Sequence, residues 1–462
     1  MATVTFVRFD LTFDEPGGVL TPQPLRKDEP DLVPDKDTTG RSHIPGTSLA
    51  GALRELVRSH AGEERAKVLF GHLLPQGTGQ DSVDAVASPI WVYGAWLVGA
   101  EPDLIRRAST AIDRHRGAAR TNTLRCEELL PAGTQFRAYL RWDGAAKQDL
   151  DDVLDLLRTW RPLIGHGTSR GRGRCTVGSV RHGRLDLTKP DDLLVWLTCS
   201  GPGLADRVTT TKLSAGDLIP GPEQAARLAV TIRGPLRVGS GTSTDGAAGA
   251  KVALIMREDG KPLIPGSGLK GVIRSRVEFI LRSVGASACT DQRCGTCRPC
   301  RLFGYGGGHD DKSSVGGRGR FRFLDAAVSE YQCGERTHVA IDRFTGGAAG
   351  QAPDPTAPPK QSAAPDPAGR GLLYTVQTLE KGTFDLVIEP LNACPADRED
   401  LTALLRLVAE DLNAGLIGIG GGIARGYGSV DVDTAGLPSL ADARGRLATM
   451  IPAGSVNGGG DA

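Results

Sequence analysis

Four cysteines fall within twelve residues in the second half of the chain. They are Cys289, Cys294, Cys297 and Cys300, and thiolates at this spacing are typical ligands of tetrahedral Zn²⁺. The alternative, a set of reduced thiols or disulfides, would require four neighbouring cysteines without a shared role. Because four protein ligands leave no open coordination position, the pattern predicts a structural zinc ion that holds a loop and takes no part in catalysis.

Two glycine-rich segments, residues 163–177 and 416–430, have the same length and carry arginines among their glycines. Glycine permits positive φ and close approach of backbone N–H groups to a phosphate, and arginine adds charge-assisted contacts. The chain has no GxxxxGK[ST] sequence, which disfavours a nucleoside triphosphate site. The residues predicted to bind an anion are Gly165, Arg170, Arg172, Arg174, Gly420, Gly422 and Arg425.

A second pair of matching segments opens two predicted helices. Residues 44–57 read IPGTSLAGALRELV, and residues 264–277 read IPGSGLKGVIRSRV. The first turn of a helix has unpaired N–H groups and the positive end of the helix dipole, which together favour a bound anion. Helix capping and a solvated face are the simpler alternative, but four such elements in one chain favour a track for a polyanion. The residues expected to contact it here are Ser48, Arg54, Ser267, Lys270 and Arg274.

Two further motifs recur in the same order. They are AIDRHRG at 111–117 with AIDRFTG at 340–346, and LFG at both 69–71 and 302–304. Four matched motifs in one order indicate a duplicated domain. We expect a first domain over 1–189, a linker over 190–226, a second domain over 227–440 and a flexible tail over 441–462.

Each half repeats one order of predicted elements: strand, helix, strands, helix, glycine-rich turn and strand. In the first helix, Leu49, Leu53 and Leu56 recur at helical spacing, and Ser48 is a candidate N-cap. This order is compatible with a ferredoxin-like unit, so the predicted fold is two tandem α+β domains. Helices are expected to begin near Ser48 and to cover 148–160, 267–282 and 401–413.

Composition limits the class of protein. The 62 glycines and 29 prolines, with only 5% aromatic residues, are typical of a loop-rich protein and disfavour a helical bundle. No apolar run approaches the ~20 residues that span a bilayer, and the N-terminus resembles a strand, so we expect a cytoplasmic protein without a membrane partner. The net charge of +1 excludes a uniformly basic protein, but residues 161–185 carry six arginines and no acidic residue. Such a local basic segment suits a polynucleotide.

Together these motifs resemble the RAMP superfamily of CRISPR-associated proteins, in particular the backbone subunits of type III effector complexes. The resemblance is carried by IPGSGLKGVIRSR with the cysteine cluster and CRLFG downstream, by HVAIDRFTGGA followed by LEKGTF, and by GIARGYGSV. The first half carries less complete versions of these motifs. Two such domains in one chain are similar to the fused subunits of type III-D-like systems.

The resemblance implies ferredoxin-like, RRM-related domains that line up along a guide crRNA, bind a complementary target RNA and contact other effector subunits. In each domain a β-hairpin thumb after AIDR would insert between nucleotides, over about 113–128 and 342–374. On this basis Arg114, Arg343 and Phe344 are expected to contact RNA. Phe344 is suited to stacking on a base.

The resemblance also implies that an Asp in the loop before IPG promotes a single cut in the bound target RNA. In EPDLVPDKDTTGRSHIPG, Asp31 lies at the matching position, with Asp35 and Asp37 close by. In the second half Lys251 lies near that position, and Asp245 is the nearest upstream acid. A lone carboxylate there could position Mg²⁺ or Mn²⁺, or help to deprotonate the 2′-hydroxyl group.

Three alternatives stay open. The same scaffold could bind RNA without cutting it. A stand-alone, metal-independent endoribonuclease that processes precursor crRNA would need a His or Tyr near the glycine-rich loop, which His43 or His166 could provide, although the paired thumb motifs and the cysteine cluster argue against it. A zinc-stabilised protein-interaction module would leave the paired Gly/Arg segments unexplained.

Overall fold

The computed structural model describes residues 3–23, 29–73, 85–113, 118–213, 224–245, 251–290, 292–307, 316–339, 341 and 373–452. The chain divides into two units, Met1–Pro222 and Glu223–Ala462. Each unit combines helices with a mainly antiparallel sheet, in agreement with the predicted α+β class. None of the described helices is both long and apolar enough to cross a membrane.

The first unit contains fourteen described strands and four described helices. Its strands are β1 (Thr3–Phe13), β2 (Leu20–Pro22), β3 (Leu32–Pro34), β4 (His43–Pro45), β5 (His72–Leu73), β6 (Ala85–Val86), β7 (Ile90–Leu97), β8 (Ile105–Ser109), β9 (Ile112–Asp113), β10 (Ala118–Ala119), β11 (Arg125–Leu129), β12 (Gln135–Asp143), β13 (Cys175–Asp186) and β14 (Thr211–Lys212). Its helices are α1 (Gly46–Phe70), α2 (Lys147–Thr159), α3 (Pro190–Thr198) and α4 (Gly201–Val208).

β1 lies inside the main sheet of the first unit because its alternating side chains find apolar partners on both faces. The strand order is β14-β13-β1-β12-β7-β4, with antiparallel neighbours throughout. Phe9, Leu11 and Phe13 belong to the core that includes α1 and α2, whereas Val4 and Phe6 belong to a second core with α4. Burial of each such side chain stabilises the fold by about 1.5–3 kcal/mol.

The predicted linker over 190–226 is wrong in its first part. Residues 190–208 form α3 and α4, and Leu204, Ala205 and Val208 are buried beside β1 and β13. β14 then adds to the sheet by pairing with β13. These apolar residues complete the second core of the first unit, so the folded chain continues past the expected boundary at 189.

The second unit contains the remaining described elements. Its strands are β15 (Ala226–Ile232), β16 (Gly239–Asp245), β17 (Lys251–Ile255), β18 (Arg257–Glu258), β19 (Lys261–Ile264), β20 (Gly304–Tyr305), β21 (Gly317–Arg318), β22 (Phe321–Phe323), β23 (Ala326–Ala327), β24 (Ser329–Val339), β25 (Leu373–Pro390) and β26 (Val430–Val432). Its helices are α5 (Gly266–Ser283), α6 (Arg298–Phe303), α7 (Pro395–Asn413) and α8 (Leu440–Ala448).

The sheet of the second unit is built around the long strand β25. The strand order is β16-β17-β25-β15-β26, and β22 and β24 also pair with β25. Phe321, Phe323 and Leu386 from this sheet share one core with α5 and α7. α5 and α7 therefore occupy the places in the second unit that α1 and α2 occupy in the first.

Each unit extends a two-stranded antiparallel ladder at the place predicted for a thumb. β24 pairs with the first part of β25, from Ser329 opposite Thr383 to Val339 opposite Leu373. In the first unit β8 pairs with β11, and the short strands β9 and β10 pair beyond them. The ladders therefore begin well before the predicted thumb boundaries, and residues 114–117 and 342–372 lie outside the described residues.

The predicted flexible tail over 441–462 is wrong in its described part. Residues 440–448 form α8, whose N-cap Ser439 accepts a hydrogen bond from the Asp442 N–H at 3.1 Å. Ala443 and Met450 are buried, and Arg446 Nε donates to Asp400 Oδ1 of α7 at 2.8 Å. An N-cap, apolar contacts and an ion pair together hold this segment to the second unit.

Candidate functional site

The four predicted cysteine ligands come together where the segment after α5 meets α6: Cys289, Cys294 and Cys297 precede α6, and Cys300 lies in it. We call residues 284–300 the cysteine loop. Their sulfur atoms all lie within 4.8 Å of one another. Cys289 Sγ is 3.4 Å from Cys300 Sγ and 3.7 Å from Cys297 Sγ, and Cys294 Sγ is 3.8 Å from Cys300 Sγ. Zn–S bonds of about 2.3 Å in a tetrahedron give sulfur–sulfur edges of roughly 3.8 Å, so the arrangement fits a metal ion such as zinc. Among the described residues, no other group of three or more His, Cys, Asp or Glu side chains is placed to hold a metal.

The protonation of these thiols must change when a metal binds. Burial raises the pKa of Cys300 to about 12 and also raises the pKa of Cys297. Burial acts in the same direction at Cys294, but hydrogen bonds, chiefly from the Cys297 backbone N–H, outweigh it and lower the pKa of Cys294 to about 6. Metal binding therefore has to displace the protons of the two buried thiols, Cys297 and Cys300.

A charged network ties the cysteine loop to the rest of the second unit. Arg298 Nε donates to Asp400 Oδ2 at 3.0 Å, and Arg301 Nη2 donates to the same oxygen at 3.3 Å. Asp400 lies on α7, is 1% exposed and also accepts from Arg446 of α8. Because a buried carboxylate depends on its cationic partners, disorder of the cysteine loop would disturb α7 and α8 as well.

The first unit makes the corresponding helix junction without a cysteine loop. α1 is interrupted at Gly62, which has φ 85° and ψ 171°, and then continues to Phe70. In the second unit residues 284–297 lie at this place, between α5 and α6. Arg65 pairs with Asp149 of α2 as Arg298 pairs with Asp400 of α7. The cysteine loop is therefore an insertion at a helix break that both units share.

Arg54 and Arg274, expected to contact RNA, each bind the glycine of an LFG motif instead. Arg54 Nη1 donates to the Gly71 carbonyl oxygen at 2.8 Å, and Arg274 Nη1 donates to the Gly304 carbonyl oxygen at 2.6 Å. Arg274 is 7% exposed, its Nε donates to Glu278 Oε1 at 2.7 Å, and burial lowers its pKa. The prediction that these two arginines contact RNA is therefore corrected, because their guanidinium groups already donate to acceptors within the protein.

The helix starts differ from the sequence expectation. α1 begins at Gly46 and α5 at Gly266, each after a proline at the N-cap, so the predicted cap at Ser48 is wrong. A Cβ atom on Gly46 would lie 2.2 Å from the Val92 carbonyl oxygen, and one on Gly266 would lie 2.1 Å from that of Phe323. The glycine of IPG therefore lets the helix start contact a neighbouring strand.

One of the helix N–H groups predicted to face a phosphate already has a carboxylate partner. The Gly266 N–H donates to Asp325 Oδ1 at 2.7 Å. Ser48, Ser267 and Lys270 lie half-buried in the first turns of α1 and α5. These three side chains remain at the predicted place, but the α5 start is partly neutralised by the protein itself.

The two glycine-rich segments share one backbone conformation. Their equivalent glycines have φ of 88°, 77°, 76° and 75° in the first unit and 91°, 82°, 81° and 84° in the second. The Ile164 N–H donates to the Gly173 carbonyl oxygen at 2.8 Å, and the Ile419 N–H donates to that of Gly428 at 3.0 Å. Residues 164–173 therefore correspond to 419–428, both of which read IGxGxxRGxG, and the sequence pairing of 163–177 with 416–430 is two residues out of register. The equivalent glycines are Gly165, Gly167, Gly171 and Gly173, and Gly420, Gly422, Gly426 and Gly428.

Close packing within each unit explains the predicted glycines. A Cβ atom on Gly165 would lie 1.9 Å from the Gly18 carbonyl oxygen, and one on Gly420 would lie 2.4 Å from that of Arg237. At Gly422 it would lie 2.9 Å from the ring of Tyr427. Glycine is needed at these positions for the fold itself, whatever else the loop contacts.

Two of the three predicted arginines in the first loop are buried in ion pairs. Arg172 is 5% exposed and pairs with Glu127 of β11, and Arg174 Nε lies 3.5 Å from Glu15 Oε1. These two residues hold the loop to its own unit, which corrects their prediction as RNA contacts. Arg170 is less buried, and its Nη2 lies 2.9 Å from His166 Nε2.

The second loop carries Arg425 and Tyr427 at the positions equivalent to Arg170 and Arg172. The Tyr427 hydroxyl lies 2.7 Å from His338 Nε2, and His338 stacks on Tyr374 with 5.1 Å between ring centroids. Arg425 is exposed, donates to the Tyr374 hydroxyl and lies over its ring at 5.7 Å. The sequence analysis missed this aromatic and basic cluster because its members come from three separate segments. No motif or regular spacing in the sequence connects them.

Asp31 precedes β3 and is held by the backbone of β11. Its N–H donates to the Cys126 carbonyl oxygen at 2.8 Å, and its Oδ2 accepts from the Cys126 N–H at 2.6 Å. The neighbouring acids have other partners: Asp35 accepts from Thr21 at 2.8 Å, and Asp37 accepts from Thr39 in a tight turn. Asp31 therefore lies beside the β8–β11 ladder.

The other predicted site residues are the second-half acid Asp245 and three residues of the predicted thumbs. Asp245 is exposed at the end of β16, and the antiparallel register places it opposite Lys251 of β17. The cation found near the expected acidic position is thus its direct neighbour in the ladder. Arg114, Arg343 and Phe344 lie outside the described residues.

Comparison with known proteins identifies the class to which these paired units belong. The model of the RAMP superfamily matches residues 19–176 and 230–431, once in each unit. The chain belongs to the RAMP superfamily, which confirms the resemblance drawn from its motifs.

Two solved structures are similar to part of the chain. They are the Type III-B Cmr-beta complex in its apo state and the same complex bound to cognate target RNA, both determined by cryo-EM. Each match has 13% sequence identity and a TM-score of 0.30, and covers 37% of this chain and 96% of the other. No curated protein matches the sequence.

Proposed function

We propose that this chain is a backbone subunit of a type III CRISPR effector complex, in which both units bind guide crRNA and complementary target RNA. The observation that supports this most is the duplication of one arrangement: an IGxGxxRGxG loop that contacts an antiparallel ladder, through Glu127 of β11 in the first unit and His338 of β24 in the second. Two similar surfaces in one chain suit a ligand that itself repeats, and the sugar–phosphate backbone of RNA repeats at every nucleotide.

Arg170 and Arg425 are the proposed phosphate contacts of the two loops, because they occupy equivalent positions and are less buried than Arg172 and Arg174. Gly165, Gly420 and Gly422 give these loops the conformation that presents each arginine. Ser48, Ser267 and Lys270 extend the contacts along the helix starts. The segments that follow the ladders, with Arg114, Arg343 and Phe344, are proposed to be the thumbs.

We also assign both units to the ferredoxin-like, RRM-related class. In the first unit the order strand, helix, two strands, helix, strand is β1-α1-β7-β12-α2-β13, and these strands lie in the order β13-β1-β12-β7. In the second unit β15, β22, β25 and β26 have the same arrangement relative to α5 and α7. This order of strands is the one expected for a ferredoxin-like sheet.

For the cysteine cluster we propose a structural zinc ion. Cys289, Cys294, Cys297 and Cys300 would hold it, and a four-thiolate site leaves no position for a substrate. When bound, the metal would fasten the inserted loop between α5 and α6. Its chemistry is therefore confined to folding.

We further propose that the first unit cuts the target RNA once, with Asp31 required for the cut. Mg²⁺ or Mn²⁺ would be held jointly by this carboxylate and RNA phosphates, since Asp31 does not belong to a group of metal ligands within the described residues. That same observation favours the second candidate, a scaffold that binds RNA without cutting it. Asp245, opposite Lys251, is the weaker catalytic candidate.

Purification of the chain from cells that carry its CRISPR array, followed by sequencing of the bound RNA, tests the proposal. Short CRISPR-derived RNAs and copurifying effector subunits from the cytoplasmic fraction are expected. The absence of RNA from a folded, metal-loaded preparation would count against both the guide-binding and the cleavage roles.

A further inference from the structure

Glu127 on β11 is a buried carboxylate with one oxygen that accepts no hydrogen bond from the described residues. The residue is 1% exposed, and its Oε2 accepts from Arg172 of the glycine-rich loop. Its Oε1 is also buried and has no hydrogen-bond partner within the described part of the chain. A buried acceptor without a donor costs free energy, so such a group calls for an explanation in terms of a ligand or a proton.

The imidazole of His166 lies beside that oxygen. His166 Nε2 lies 3.6 Å from Glu127 Oε1 and 2.9 Å from Arg170 Nη2. A guanidinium can only donate hydrogen bonds, so Nε2 must be the acceptor and the ring must be neutral, with its proton on Nδ1. The imidazole side chain is 39% exposed, which leaves it open to a ligand from solvent.

The proposed cleavage residue of the same unit is anchored next to this pair. Asp31 is bound by the backbone N–H and carbonyl group of Cys126, and Glu127 is the next residue of β11. Asp31 and His166 therefore contact consecutive residues of β11, Asp31 through the backbone of Cys126 and His166 through the side chain of Glu127. A carboxylate and a neutral imidazole beside one strand are the side-chain types that acid–base chemistry uses.

We infer that His166 is the base that accepts the 2′-hydroxyl proton of bound RNA in the first unit, with Glu127 as its positioning residue. This inference rests on the proposed binding of RNA by that unit. It adds to the role of Asp31 a second group that touches the reacting atoms.

The reaction follows from the positions of the three side chains. An RNA phosphate draws the Arg170 guanidinium toward itself and frees Nε2 of His166. The 2′-oxygen attacks the adjacent phosphorus while Nε2 takes its proton, the P–O5′ bond breaks, and water protonates the departing 5′-oxygen. The products are a 2′,3′-cyclic phosphate and a 5′-hydroxyl, and no oxidant or reductant is needed. The protonated Nε2 then lies beside Glu127 Oε1, an oxygen that accepts no hydrogen bond in the resting state. The carboxylate therefore stabilises the imidazolium.

The electrostatic surroundings keep His166 in the form that the step requires. Burial and the charge of Arg170 lower the pKa of His166, and Arg172 and Arg125 act in the same direction. Glu127 opposes them. The imidazole is therefore neutral, and able to accept a proton, at neutral pH.

The second unit does not repeat this arrangement. The position equivalent to His166 is Gly421, and the position equivalent to Arg172 is Tyr427, whose hydroxyl is already bound to His338. An imidazole is thus present near the second loop, but it comes from β24 and stacks on Tyr374. The inference accordingly assigns the cut to the first unit alone.

The test uses the complex purified with its guide and a complementary RNA, with His166→Ala as the main variant. We expect target binding to stay within about twofold of wild type and the first-unit cut to slow by about 10²-fold or more. Imidazole added to the buffer should restore part of the rate, because it replaces the missing base. His60→Ala, which removes an exposed histidine of α1, is the matched control and should cut at the wild-type rate.

The positioning role of Glu127 has its own readout. Glu127→Gln should shift the acidic limb of the pH–rate profile to lower pH, because the imidazolium loses its carboxylate partner.

A target with a 2′-deoxy nucleotide at the cut should bind and remain intact.

The outcomes separate this inference from the function on which it rests. Normal cutting by His166→Ala, or a slowed cut that imidazole does not restore, overturns the role of His166 while guide binding stands. Cutting of the 2′-deoxy target overturns the 2′-hydroxyl mechanism. A wild-type complex that holds a guide and target but never cuts removes cleavage altogether, and one that holds no RNA removes the proposed function.

Discussion

Arg274 Nη1 donates a hydrogen bond to the Gly304 carbonyl oxygen at 2.6 Å, across thirty residues of chain that include the cysteine loop. Arg54 makes the equivalent bond to Gly71 at 2.8 Å across only seventeen residues. One arginine in each unit therefore fastens the glycine that ends the LFG segment to the preceding helix. The insertion of a cysteine loop has left this contact in place, so the loop is an addition to a frame that both units share.

Replacing Arg274 with Ala should destabilise the second unit by about 3 kcal/mol. The substitution removes the guanidinium that donates to the carboxylate of Glu278, which is 1% exposed. Arg54→Ala should cost about 1 kcal/mol, because Arg54 is partly exposed. Urea unfolding of each variant measures the change. Arg58→Ala, at an exposed pair with Glu55, should change little, and a cost as large as that of Arg274→Ala would contradict the argument.

Replacing Cys294 and Cys297 with Ser should release about one metal ion per chain and destabilise the second unit. Metal binding and folding are coupled, and the loop supports Asp400 through Arg298 and Arg301. Elemental analysis and thermal unfolding, compared with a Cys199→Ser control in the first unit, check the result. Purified wild-type protein without zinc would refute the proposed cofactor.

The arginines of the first glycine-rich loop should separate into two groups. Arg170→Ala, and Arg425→Ala in the second loop, should weaken RNA retention, because each loses a phosphate contact. Each should also reduce the salt slope, which is the slope of log binding constant against log salt concentration, by about one unit. Arg172→Ala should instead lower stability, since it leaves the buried Glu127 carboxylate without its main partner. Salt-dependent RNA binding and unfolding curves distinguish the two. An unchanged salt slope for Arg170→Ala would mean that this side chain does not contact phosphate.

Asp31→Ala should abolish the cut at the first unit and leave target binding nearly intact. Asp31 is anchored to the backbone of β11, so its removal deletes a carboxylate without deleting the proposed phosphate contacts of Arg170 and Ser48. Asp245→Ala should have less effect, because Asp245 lies opposite Lys251. Mapping of product 5′ ends in the presence of Mg²⁺ or Mn²⁺ decides between them. Normal cutting by Asp31→Ala with loss in Asp245→Ala would place the activity in the second unit.

The first unit should lose stability in acid through Glu127. Burial opposes ionisation, but the hydrogen bond and charge of Arg172 outweigh it, and the pKa of Glu127 is lowered from its ordinary value of 4.5. Since the folded-state pKa lies below the unfolded one, this stabilisation is complete above about pH 4.5 and is lost as the pH falls through the folded-state value. Unfolding curves between pH 7 and pH 3 test this. Glu127→Gln should be less stable at pH 7 and less sensitive to acid, and an equally steep acid dependence in that variant would contradict the assignment.

Several features of this protein followed from the sequence because they depend on short stretches of chain. The four cysteines lie within twelve residues, so one loop can bring all their thiols to a single metal ion, and the structure brings their sulfur atoms within 4.8 Å of one another. The repeated motifs predicted two related halves, and the superfamily model matches once in each. The N-terminal strand β1 was also predicted, because successive side chains of a strand point to opposite faces and its apolar residues recur at that spacing.

Only the tertiary structure decided what individual charged residues do. Arg54, Arg172, Arg174 and Arg274 have the sequence surroundings of phosphate ligands, but acceptors from distant segments use them, and no local pattern encodes such partners. The same reason hid the contacts among His166, Arg170 and Glu127, and the cluster around Tyr374. The register of the two glycine-rich loops likewise depends on which glycine meets Gly18 or Arg237, because steric contact with another segment, rather than composition, requires a glycine there.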